Sequence, residues 1–137
     1  MAAVESTLRE LLKAEGFGVL TEIDVQSTFK AKLGESFRPY RILGACNPGL
    51  AHRAISADAS VGLLLPCNVV LEEVVTGRTL VRFMEPIAGL AMVANDAIEP
   101  IARDASERLP RVADSLALAP NGGSSSQPGL ERLATKV

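Results

Sequence analysis

Tryptophan is absent from this 137-residue chain, and tyrosine and histidine occur once each. Four phenylalanines are the only other aromatics, too little material for a base-stacking platform or an aromatic cage. The core therefore has to be built from Leu, Val, Ile and Ala. A basic excess is also lacking: 14 Lys and Arg stand against 16 Asp and Glu, for a net charge of −2. No positive field is available to hold phosphate backbones, and nucleic acid is not expected as a partner. The longest apolar run, 61–71, is broken by Pro66 and Asn68. It falls well short of the roughly 20 residues a membrane-spanning helix needs, so no membrane is expected either. The opening Met-Ala-Ala-Val-Glu-Ser has neither the basic nor the apolar region of a secretory signal. The expectation is a cytoplasmic protein with reduced thiols, in which a structural disulfide is not the default.

What is present is enough for one domain with a real core. Val4, Leu8, Leu11 and Leu12 mark an amphipathic helix that ends at Gly16. Residues 17–25 alternate as a strand, with Val19, Ile23 and Val25 on one face that is expected to be largely buried. Asp24 caps a short helix that stops at Gly34. Residues 41–46 read as a second strand, and Asn47-Pro48 as the start of a helix, with Asn as cap and Pro in the first turn. A loop over 56–66 leads to a β-hairpin, 67–75 and 79–84, turning at Thr76-Gly77-Arg78. The apolar stretch 87–93 reads as a further strand. From Asp96 onward Ile98, Ile101, Ala105, Leu109, Val112 and Leu116 keep helical phase across Pro110, which predicts one long helix. Residues 120–128 have linker composition, so the division is an α+β domain over 1–119, one sheet with helices on a face, and a flexible, disordered tail over 120–137.

Three stretches, Gly-Phe-Gly-Val-Leu-Thr-Glu-Ile-Asp-Val at 16–25, Tyr-Arg-Ile-Leu-Gly-Ala-Cys-Asn-Pro at 40–48 and Leu-Pro-Cys-Asn-Val at 65–69, occur in this order. Together they resemble the domain of unknown function 302 family, over about residues 4–118. The resemblance implies a small α+β protein of TBP-like β-α-β(4)-α arrangement that often associates as a dimer. It brings no agreed activity. The family usually has a strand before the first helix, whereas this sequence opens on the helix itself, so the expectation is either a late start or an arrangement lacking that first strand.

The chemistry centres on the two cysteines, Cys46 and Cys67. Cys46 ends a strand just before a helix N-terminus, where unpaired amides favour the thiolate. Cys67 opens another strand behind Pro66. Cys46, Cys67, Asn47 and Pro66 are thus the candidate redox or ligand site, against the plain alternative of two buried small hydrophobes. As metal ligands only Cys46, Cys67 and the lone His52 suggest themselves, with Asp24 or Glu22 as further oxygens. No C-x-x-C spacing supports a zinc ribbon. Glu72 and Glu73 are adjacent, point to opposite faces and are expected to be solvated. With no acid/base couple, nucleophile set or phosphate loop in view, an enzyme ranks last. The leading reading is a non-enzymatic homodimeric module that binds a small apolar ligand or a protein partner. The alternative is a thiol-based redox or metal-handling protein, and the sequence names no cofactor. The loop 56–66, with Val61-Gly62-Leu63-Leu64-Leu65, is the candidate lid of an apolar pocket or a dimer contact.

Overall fold

Helical spacing over Ala2–Ala14 (α1) puts Leu8 and Leu12 on one side, where both are fully buried. The chain turns at Gly16 into β1 (Gly18–Asp24). Asp24 then accepts a hydrogen bond from the Ser27 amide at 2.9 Å and opens α2 (Val25–Leu33). Gly34 ends that helix at φ +70°, a left-handed conformation that glycine adopts without strain. After β2 (Tyr40–Cys46) come α3 (Pro48–Ala57) and a 3-10 helix, Ala59–Leu64. The hairpin of β3 (Cys67–Val75) and β4 (Arg78–Phe83), then α4 (Pro86–Leu90) and α5 (Glu99–Leu118), complete the domain. A computed structural model describes residues 1–119 and the backbone of β5 (Leu130–Arg132).

The sheet runs β1-β2-β3-β4-β5, antiparallel except for the last pair. Leu43, Ala45, Val69, Leu71, Val81 and Phe83 face one side and bury against α1 and α5. The long helix contributes Ile101, Leu109, Val112 and Leu116. Each such side chain is worth roughly 1.5–3 kcal/mol, so this layer carries the stability. The fold is α+β, as expected. The other side of the sheet carries Tyr40, Ile42, Val70 and Arg82, all only partly buried. Most of α2 is exposed; it is anchored by Phe29 on Phe37, ring centroids 5.2 Å apart, and by Phe37 on Tyr40 at 6.2 Å.

The structure corrects three expectations. First, β1 is an edge strand and largely exposed. Val19 pairs with Ala45 but Thr21 with Gly44, so Leu20 is an extra residue. That bulge reverses the alternation: Val19 faces the core, whereas Ile23, opposite Ile42, lies on the open face. Second, 87–93 is not a strand. Glu85 accepts from the Ile87 amide at 3.1 Å and Pro86 sits in the first turn, so α4 forms there. Third, Glu72 is not solvated but 5% exposed, clamped by Arg38 and Arg82. Within the expected tail, residues 130–132 pair in parallel with β4. The rest of that tail, 120–129 and 133–137, lies outside the described residues.

On the core side, Glu5 is also buried and is gripped by Arg9 and Arg41, each at 2.6 Å. Arg9 reaches Glu22 at 2.6 Å, and Arg41 reaches Asp24 at 3.7 Å. This network ties α1 to β1 and β2.

Candidate functional site

β2 and β3 are neighbours in a register that sets Ala45, not Cys46, opposite Cys67, so the two cysteines are diagonal neighbours whose side chains alternate to different faces of the sheet. Both cysteines are free and buried, and both residues are among those that line one cavity of about 30 Å³ between the sheet and helices α3, α4 and α5. Phe17, Leu50, Leu65 and Ile101 are among its walls, and Asn47 is the only polar residue lining it. Asn47 works structurally as well: its Oδ1 accepts from the Leu50 amide at 3.1 Å and caps α3.

Burial pushes the Cys46 thiol above its ordinary range, the opposite direction to the lowering that a helix N-terminus favours. Cys67 is pushed up to about 11, by burial first and then by the charges of Cys46 and Glu85. At neutral pH both are protonated thiols.

His52 is exposed on α3 and does not line the cavity. Glu22 and Asp24 are engaged by Arg9 and Arg41 instead. Among the described residues no group of three or more His, Cys, Asp or Glu is placed to hold a metal ion. Pro66, behind Cys67, sits on the open face of the sheet. A Cβ built on Gly44 would lie 2.5 Å from its Cγ and 2.0 Å from Thr21 Oγ1, so the three segments converge on that glycine.

Pro66 also belongs to a second, larger feature that sequence reading did not find. A groove of about 590 Å³ runs between the open sheet face and the two short helices. Leu63, Leu64, Leu65 and Pro66 form one wall, Met84, Ala88, Gly89 and Met92 the other, and Val70, Asn68 and Arg82 the floor. Leu63 and Met92 are 88% and 79% exposed. The two charged groups here have partners. Arg82 donates to Glu72, and Glu85 accepts from the Ile87 amide and the Ser106 hydroxyl. The leucine run was the visible signal; its opposite wall depended on α4 being a helix. Among the described residues no helix is long and apolar enough to cross a membrane.

No curated protein matches the chain. A crystal structure of an uncharacterized conserved protein DUF302 from Bacillus stearothermophilus is similar to it: 35% identical, TM-score 0.74, covering 83% of this chain and 88% of that one. The family model described as Domain of unknown function DUF302 matches residues 1–116. With three sequence stretches, the fold and the family model in agreement, the chain belongs to the DUF302 family.

Proposed function

We propose that the protein is a non-enzymatic binding module that takes a small, elongated apolar ligand in the groove between Leu63–Leu65 and α4. The observation that carries this reading is the groove itself: about 590 Å³, walled by leucine and methionine. Pockets of that size and lining suit small molecules with few polar groups. Methionine walls adapt to irregular apolar shapes. Because Arg82 and Glu85 are already engaged by Glu72 and by Ser106 and the Ile87 amide, the groove asks for little polarity from its ligand.

The test uses N-phenyl-1-naphthylamine, an uncharged apolar fluorophore. Saturable binding, displaced by a medium-chain fatty alcohol, is expected. Gly89→Leu should abolish it, because a side chain at Gly89 starts 3.0 Å from Met84 Cε and grows into the groove. Folded protein that shows no saturable uptake would overturn the reading.

A second reading is favoured by the exposure of Leu63 and Met92 at the groove rim. There the rim is the contact between two copies of the chain, and sedimentation at micromolar concentration reads it out.

A further inference from the structure

We propose that the groove between Leu63–Leu65 and α4 selects a neutral ligand with a hydroxyl head, an aliphatic alcohol, and that Tyr40 and Asn68 make the selection. This assignment rests on the groove reading and names the ligand class within it. Two polar side chains here are uncommitted: Tyr40 and Asn68 both line the groove, and neither hydrogen-bonds another described residue. The charged groups are in the opposite state. Arg82 and Arg38 both donate to Glu72, which is 5% exposed, and Glu85 is held by the Ile87 amide and the Ser106 hydroxyl.

That division works against an ionic head. Taking a carboxylate or an ammonium out of water costs far more than taking a hydroxyl, unless a counter-charge is waiting. In the groove a carboxylate meets Glu85 and an arginine already shared with Glu72, while an ammonium meets Arg82. A hydroxyl needs only a neutral donor or acceptor, and a phenol or a carboxamide supplies both. Strand register fixes where these two lie. Asn68 stands opposite Gly44, Val70 opposite Ile42 and Glu72 opposite Tyr40. Asn68 and Tyr40 are thus four strand residues apart, roughly 13 Å, at the two ends of a floor with Val70 between them. An extended chain lying over Val70 finds a hydroxyl partner at whichever end its head takes. Tyr40 is held at its end by the edge contact with Phe37.

Protein loaded with N-phenyl-1-naphthylamine, displaced in turn by 1-octanol, octanoate, octylammonium and octane, tests the assignment. Expected is 1-octanol ahead of both ions. In the double variant Tyr40→Phe with Asn68→Leu, the octanol-to-octane affinity ratio should fall about 3- to 10-fold, the worth of one neutral hydrogen bond. Should the double variant fail to fold, the single variants decide: at least one must lower the ratio about twofold, since each removes one of two hydroxyl partners. Octanoate or octylammonium matching 1-octanol, or a ratio unmoved in the folded variants, overturns the assignment and leaves the groove reading standing. Absence of saturable fluorophore uptake by the natural chain overturns both.

Discussion

Gly44 is the residue on which three separate stretches of chain close. Thr21 from β1 and Pro66 from the entrance to β3 occupy the space above it, and any side chain would collide with both. Neither neighbour can swing away, one being β-branched and the other a ring. Gly44→Ala is therefore expected to cost about 1–3 kcal/mol, the usual range for overpacking. Urea denaturation at neutral pH measures it; an unchanged midpoint would mean the strands relax freely. The same scale shows how unevenly site residues can be read in advance. Asn47 was legible because an Asn-Pro pair has one strong local meaning, and its side chain does cap α3. The burial of Cys46 was not, since the helix N-terminus is visible in sequence while the residues that enclose the cysteine are scattered from Phe17 to Ile101.

At the scale of elements, those with their own punctuation were legible. The stripe of α5 runs through Pro110 as one helix, and Ile98, Ile101, Ala105, Leu109, Val112 and Leu116 are all buried. Two elements were not. In β1 a single bulged residue changes which face Ile23 occupies, and strict alternation carries no mark of a bulge. In α4 the five residues are too few for a helical period to show, so apolar content suggested a strand; Glu85-Pro86 repeated the cap-and-proline signal of Asn47-Pro48 and was the available clue. The 3-10 helix is intermediate: Val61 points into the core at 0% exposure, and Leu63 points out at 88%. This division makes Leu63 the residue through which self-association can be tested without touching the core. In the two-copy reading, Leu63→Glu turns a dimer into a monomer by sedimentation while leaving the melting profile of the monomer intact. A natural chain that is already monomeric at micromolar concentration removes that reading.

For the molecule as a whole, the buried carboxylates set the lower limit of its pH range. Burial opposes ionisation of Glu5, but hydrogen bonds from Arg9 and Arg41 and their charges outweigh it and hold its pKa below the usual range. The hydrogen bond from Arg82 does the same for Glu72, against burial and with help from Arg38. For a depressed carboxylate the stabilisation is present above the unfolded value, about pH 4.3, and is lost as pH falls through the folded one. The thiols work from the other side. Their folded pKa values are raised, so stability holds below about pH 8.5 and declines as pH rises toward the folded values. Melts across pH 3 to 10 should therefore show a plateau between these limits. Glu5→Gln with Glu72→Gln should lower the plateau by roughly 1–3 kcal/mol per site, between exposed and buried ion pairs, and flatten the acid limb. An acid limb as steep in the double variant as in the natural chain would place the sensitivity elsewhere.

The first and last helices are joined directly. Arg111 of α5 grips both oxygens of Glu15 at 3.0 Å, and Arg108 donates to the Glu15 carbonyl at 3.3 Å, just where α1 ends. Beginning and end of the domain thus share one clasp. Neither helix can fray from the sheet alone, and slow amide hydrogen exchange should extend over both as one cooperative unit, with α2, which buries nothing, exchanging first.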